Sequence, residues 1–261
     1  EQLPSKQSVP RSSRGRITIN ETCEGDEAIH RLHLLYKKME YDKISSGINR
    51  EKESVNSLMA TAAAEARRIS CAIQEIAGTT ACKGVQINGL KKWAIDNCCW
   101  IENRGMLGEF SDRGSENEVY MDVVNQVVYK LNDFRYADDN LESFFQRLKI
   151  HNNLFADCAY TLCGFAENQD SKICAVISQP FIRADREASI EEIAGALALM
   201  GFMPQQDGEY FTNGEVDIFD ALPNNVLHGI DGNLYFIDTI CLPSEEHFLD
   251  SYKSLSPNWM K

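Results

Sequence analysis

Asp217-Ile-Phe-Asp220-Ala-Leu-Pro-Asn-Asn225-Val-Leu227 is the stretch from which the fold can be read. Asp220 and Asn225 stand five apart in an irregular, proline-containing segment between apolar residues. Downstream, the apolar run Leu234-Tyr-Phe-Ile237 ends on Asp238. Two Asp residues and an Asn at strand ends and on a loop are hard oxygen ligands. They suit Mg²⁺, which takes one or two carboxylates and completes its shell with water and substrate phosphates. Asp231-Gly-Asn233 has tight-turn composition, so Val226-Leu227 and Leu234–Ile237 form a hairpin. Asp231 and Asn233 are then turn residues rather than ligands. Asp217 is expected to be exposed.

Working outward, Ser189–Met200 reads as a helix opened by a capping box, Ser189 with Glu192 three residues on. Cys158–Phe165 and Lys172–Ser178 read as strands joined by the turn Glu167-Asn-Gln-Asp170. Asp138–Ile150 is helical, with Leu141, Phe144, Phe145 and Leu148 turned inward. Met106–Phe110, Glu118–Asp122 and Gln126–Leu131 read as strands, and Tyr210–Phe211 as a short one. The order is not the βαβ alternation of a parallel sheet. It implies an α+β fold built on an antiparallel sheet with one inserted helix. Before residue 105 the period is helical. Asp26–Ser45, Arg50–Ala77 and Gly89–Asn97 each carry apolar residues at helical spacing, and Gly78 suits a C-cap. Glu1–Arg16 has no periodicity. The expected organisation is a flexible tail over 1–20, a helical accessory region over 21–104 and a second domain over 105–261.

The composition excludes several classes. The 261 residues are 43% hydrophobic and 25% charged, which is ordinary for a globular chain. Net charge is −13, against nucleic-acid and anionic-lipid partners. The charge is uneven: residues 1–104 sum to +3 and residues 105–261 to −16. No apolar run approaches the ~20 residues of a membrane span, and Glu1–Arg16 lacks a secretory h-region. The nine cysteines form no C-x-x-C pair and are expected to be free thiols in a reducing, cytoplasmic setting. Cys98–Cys99, Cys158 and Cys163 are expected to be buried. His151, His228 and His247 are expected to be packing or surface residues.

Several motifs together resemble a protein-kinase domain. Asp220-Ala-Leu-Pro-Asn-Asn225 resembles the kinase catalytic loop, where an Asn follows the Asp five positions on. Asp238 stands where the D-F-G Asp would be. Gln126-Val-Val-Tyr-Lys130 resembles the V-A-I-K strand. Gly108-Glu-Phe-Ser-Asp-Arg-Gly114-Ser-Glu-Asn-Glu-Val119 resembles a glycine-rich loop in position, though not in spacing. Ser178-Gln-Pro-Phe181 falls where a hinge would sit. With Ser115-Glu-Asn-Glu-Val-Tyr120 and Ile230-Asp-Gly-Asn-Leu-Tyr-Phe-Ile-Asp238, the pattern is similar to the polyvalent protein kinases of bacterial toxin systems and mobile elements. It spans about residues 105–241. Two departures stand out: Ile218-Phe219 replaces the usual His-Arg, and Asp238-Thr-Ile240 lacks the glycine.

The resemblance implies a protein-kinase-like fold with an antiparallel N-lobe sheet. Only 23 residues follow Asp238, so a reduced C-lobe is expected. It implies an ATP/Mg²⁺-dependent phosphotransferase acting on an unidentified acceptor. Lys130 would contact the phosphates, held by Glu142, the Glu of the following helix. Asp220 would orient the acceptor hydroxyl and take its proton, and Asn225 and Asp238 would hold Mg²⁺. Gly108, Gly114 and Ser115 would cover the phosphates, and Gln179 and Phe181 would line the nucleotide at the hinge. The alternative reading is a catalytically silent kinase-like module that binds nucleotide or a partner within a larger protein.

Overall fold

The computed structural model describes residues 57–77, 83–137, 140–208 and 210–244. The tail, the Asp26–Ser45 helix, Gly78 and His247 lie outside the described residues. Helix α1 is Ser57–Ala77 and α2 is Lys83–Asp96. After a 3₁₀ turn at Arg104–Leu107 come β1 Glu109–Arg113, β2 Asn117–Asp122 and β3 Val127–Asn132. Helix α3 is Glu142–Leu154, followed by β4 Thr161–Glu167, β5 Ile173–Pro180 and β6 Ala184–Glu187. Helix α4, Ile190–Leu199, precedes β7 Met203–Gln205, β8 Tyr210–Thr212, β9 Val216–Phe219, β10 Val226–Gly229, β11 Leu234–Phe236 and β12 Ile240–Pro243. None of the described helices is long and apolar enough to cross a membrane.

The fold is α+β with antiparallel sheets. A five-stranded sheet runs β1-β2-β3-β5-β4, a three-stranded one β11-β10-β6, and a four-stranded one β12-β9-β8-β7. The central strand β5 buries Cys174, Ala175, Val176 and Ile177 in succession, because both its faces are covered. Ala175 and Ile177 join a core with Phe134, Leu141, Phe144, Phe145 and Leu148 of the α3 region. Cys174 and Val176 face the opposite way, onto Leu107, Tyr120, Leu131 and Ala166. A further core packs Ile193 and Leu197 of α4 on Phe202, Phe211, Ile218, Val226 and Phe236.

The helices before residue 105 are part of this packing, so the expected boundary does not divide the core. Met59, Ala62 and Ala66 of α1 and Leu90 and Ala94 of α2 share one core with Phe144, Phe145 and Phe165. Trp93 meets Phe165 of β4 edge-on, with ring centroids 6.2 Å apart. Gln86, fully buried on α2, accepts a hydrogen bond from the Leu141 amide at 3.0 Å and so caps the entry to α3. The chain after α2 runs beside β4: Ile101 N donates to Phe165 O at 2.7 Å and Phe165 N to Cys99 O at 2.9 Å. Gly164 makes that approach possible, since a Cβ there would lie 2.3 Å from Cys99 O. An apolar stripe finds its partner in the tertiary fold, and here the partner is the sheet and α3 rather than the helices alone.

The capping box of α4 forms in full: Glu192 N donates to Ser189 Oγ and Ser189 N to the Glu192 carboxylate. The strand expected at Met106–Phe110 is instead a 3₁₀ turn followed by β1, with Asn103 Oδ1 accepting from Gly105 N at 2.9 Å. Asp217, expected on the surface, is buried, because β9 is an interior strand between β8 and β12. Among the cysteines, Cys158 is buried, Cys99 and Cys163 are half-buried and Cys98 is exposed.

Candidate active site

Two ladders bring the acidic residues together. In the β9–β12 ladder Phe219 pairs with Ile240. The chain therefore leaves β9 at Asp220 and enters β12 from Thr239 at the same end. In the β10–β11 ladder Val226 pairs with Phe236, and Ile237 N donates to Asn225 O at 2.9 Å. Asn225 precedes one strand and Asp238 follows the other, so they too share an end.

Lys130 comes from the five-stranded sheet. Side chains alternate along β3, and Val128, Lys130 and Asn132 face a cleft of about 740 Å³. Asp220, Asn225 and Asp238 line the same cleft, as do Gly114 and Ser115 from the β1–β2 turn. Lys130 Nζ lies 2.8 Å from Ile237 O and 3.1 Å from Asp238 Oδ1. The Lys130 side chain is 8% exposed, whereas that of Asp238 is 43% exposed and opens into the cleft.

Asp220 has a left-handed backbone, φ 56°. Asp tolerates that conformation better than most residues. Its carboxyl is held above the usual value, first by burial and then by the charges of Asp238 and Glu116. Asn225 is buried; its Nδ2 donates to Asp220 O at 2.9 Å, and its Oδ1 accepts from Asn224 Nδ2 at 2.8 Å. The Asp238 carboxylate and the Asn225 amide oxygen are donors that suit a hard cation, with Asp220 beside them. Among the described residues no group of three or more His, Cys, Asp or Glu is arranged to hold a metal. A cation here would draw further ligands from water and phosphate, which is the Mg²⁺ habit.

The carbonyls leading to Asp238 are held from several sides. Tyr160 OH donates to Ile237 O at 2.8 Å. His151 Nε2 lies 2.7 Å from Phe236 O and must carry the proton to bond there. Burial pushes His151 down to about 4, so the ring is neutral. Cys158 Sγ lies 3.2 Å from Phe236 O, and burial pushes its thiol up to about 12, which makes it a poor nucleophile.

Four residues named from sequence stand elsewhere. Glu142 does not hold Lys130. It opens α3, where its carboxylate accepts from Gln146 Nε2 at 3.4 Å. The face of α3 that lines the cleft carries Ser143, Arg147 and His151, spaced four apart. Lys130 takes its carboxylate from Asp238 instead. Gly108 lies at the other end of the β1–β2 hairpin, with φ 95°, where a Cβ would lie 2.2 Å from Met121 O. The turn at the cleft is Gly114-Ser115-Glu116. Gln179 is buried and donates to Cys158 O at 2.6 Å, and Phe181 follows β5; neither lines the cleft. Sequence reasoning missed Glu116, Arg147, Tyr160 and the His151 contact. The spacing of Ser143, Arg147 and His151 was the available signal.

Residues 83–244, more than half of the chain, match the family model described as Serine/Threonine/Tyrosine Kinase found in polyvalent proteins. The chain belongs to that family. The matched kinase segment begins at the first residue of α2, which agrees with the packing of that helix against the sheet. No curated protein and no solved structure matches the chain.

Proposed function

We propose that this chain is an ATP/Mg²⁺-dependent phosphotransferase, with the five-stranded sheet and α3 as its N-lobe and the two small sheets with α4 as part of its C-lobe. The observation that carries this reading is the meeting of Lys130, Asp220, Asn225 and Asp238 around one cleft. Phosphoryl transfer asks a protein mainly to position groups and to neutralise charge, so a few well-placed polar residues suffice. Bound Mg²⁺ would supply positive charge that draws the phosphates to the acidic side of the cleft and screens them there.

Asp238 and the amide oxygen of Asn225 are the residues to hold the cation. Lys130 would bind phosphate oxygens while remaining tied to Ile237 O. Amides of the Gly114–Glu116 turn would cover the phosphates. Asp220 would accept a hydrogen bond from the acceptor hydroxyl and take up its proton. Its raised carboxyl is better matched to that work than an ordinary Asp.

The test is thermal unfolding with ATP plus Mg²⁺ against ATP plus EDTA. Ligand at a hundredfold excess over Kd raises stability by about 2.7 kcal/mol. For a protein of this size that moves Tm by roughly 5–10 °C. An unmoved Tm with metal present would sink the nucleotide reading. A metal-dependent shift with no phosphate transferred to protein or small-molecule acceptors would favour the silent binding module.

A further inference from the structure

The cleft carries four acidic side chains, Asp112, Glu116, Asp220 and Asp238, against two cations, Lys130 and Arg147. Each cation is already engaged. Lys130 pairs with Asp238, and Arg147 faces Glu116 with Nη2 at 3.4 and 3.5 Å from the two carboxylate oxygens. Resting on the nucleotide reading above, we infer that Arg147 is a second phosphate-binding residue of the cleft, and that Glu116 of the glycine turn occupies it until phosphates take its place.

The contact has the geometry of one that can be exchanged. Arg186 and Glu192 make two bonds of 2.7 Å each. Arg147 and Glu116 stop well short of that, although both side chains are mostly sheltered, at 12% and 16% exposed. A charge-assisted pair that is free to close settles at roughly 2.7–2.9 Å. Asp133 N donates to Glu116 O at 3.1 Å and Gly114 N donates to Asn117 O at 2.9 Å, which fixes the backbone of the turn. With the turn fixed to the end of β3, releasing Arg147 needs only a rotation of the Glu116 side chain.

Arg147 would stay in place when Glu116 leaves. Its guanidinium lies 5.0 Å from the Phe144 ring, one turn back on α3. Stacking of this kind orients the planar fork. A fork fixed in the wall of a cleft matches two oxygens of one phosphate. A triphosphate entering a cleft with four carboxylates gains from a second protein cation beside Lys130 and the bound Mg²⁺. Glu116 thus neutralises Arg147 and competes with the ligand for the same arginine.

The experiment is calorimetric titration of the full chain with ATP and with adenosine, both in Mg²⁺. Arg147→Met is expected to weaken ATP about tenfold or more and to leave adenosine unchanged. Glu116→Gln is expected to tighten ATP several-fold. In the Glu116→Gln background, Arg147→Met should still weaken ATP, which separates loss of the arginine from release of the glutamate. If Arg147→Met does not fold, Arg147→Lys and Glu116→Gln decide. Arg147→Lys should then weaken ATP only, as a point charge replaces the fork. Equal ATP affinity in wild type and the Arg147 variants, or a weaker Glu116→Gln, overturns the inference while leaving the nucleotide reading intact. A wild type that binds no ATP overturns the nucleotide reading itself.

Discussion

Lys130 Nζ stands 3.1 Å from Asp238 Oδ1 and 2.8 Å from Ile237 O, so one ammonium holds both the carboxylate and the backbone that presents it. Its third side is the Tyr160 ring, whose centroid lies 5.5 Å away. The lysine is buried and the aspartate half-exposed. The cation is therefore fixed, and the carboxylate is free to turn to the cleft.

That asymmetry sets the first prediction. Asp238→Ala is expected to abolish metal-dependent nucleotide binding and to cost only about 1 kcal/mol of stability, because the lost ion pair is half in solvent. Titration with and without EDTA, next to urea unfolding, reads both. Wild-type affinity in the variant would show that the metal-binding carboxylate lies elsewhere.

Asp220 separates binding from turnover. Asp220→Asn and Asp220→Ala are both expected to keep nucleotide affinity and to lose transfer by roughly 10²–10⁴-fold. Their stabilities should differ. At φ 56° an Ala pays a strain of about 1–2 kcal/mol that Asn largely avoids. Asn also removes a buried charge. The folded state holds the Asp220 proton to a higher pH than the unfolded chain, whose value is near 3.8, so the ionised carboxylate opposes folding above that window. Asp220→Asn should therefore unfold at a higher temperature than wild type at neutral pH, and the gap should shrink as pH falls toward 3.8. A gap independent of pH would rule out the carboxylate as its source.

Much of this was legible because it is local. The Asp231-Gly-Asn233 turn and the Ser189/Glu192 box are set by neighbouring residues, and the structure forms both. The acidic residues were legible for a related reason: Asp220, Asn225 and Asp238 flank short strands, and hairpin pairing fixes which ends meet. Partners distant in sequence were not legible. The four-residue spacing of Ser143, Arg147 and His151 marks one face of α3, but which face meets the cleft depends on how α3 rotates on the sheet. The fate of α1 and α2 had the same limit. An apolar stripe states that it will be covered, not by what. Asp217 was misjudged because a strand buried on both faces leaves no room to read a polar residue as outward.

The covering of α3 by the earlier helices gives the next prediction. Removing residues 1–86 takes away Met59, Ala62 and Ala66, and leaves Leu90, Phe144 and Phe145 short of partners. Such a chain is expected to be insoluble or to melt without cooperativity, whereas one starting at residue 44 should unfold in a single transition. Leu90→Ala in the full chain is expected to cost about 2–5 kcal/mol, since Leu90 is fully buried. A soluble, cooperative chain lacking residues 1–86 would show that the helices are accessory after all.

The last prediction concerns His151, which ties α3 to the segment bearing Asp238. Its ring packs 4.6 Å from Tyr160 and 5.2 Å from Phe155, centroid to centroid, and its Nε2 bonds Phe236 O. Burial is the main reason it stays neutral; the nearby Lys130 charge acts the same way, while the Phe236 bond and Asp238 act against it. In the unfolded chain the ring takes a proton near pH 6.5, and in the folded protein only near pH 4. Between those values the unfolded state binds more protons, so stability must fall as pH drops from 6.5 to 4. His151→Gln keeps an N–H for Phe236 O but cannot titrate. It is expected to be less stable than wild type at neutral pH, through lost ring packing, and to lose less stability on acidification. The two unfolding free energies should converge as pH falls. Parallel curves over that window would mean that His151 takes its proton at the same pH in the folded and unfolded chains, so that below pH 6.5 the bond to Phe236 would have to be made by an imidazolium.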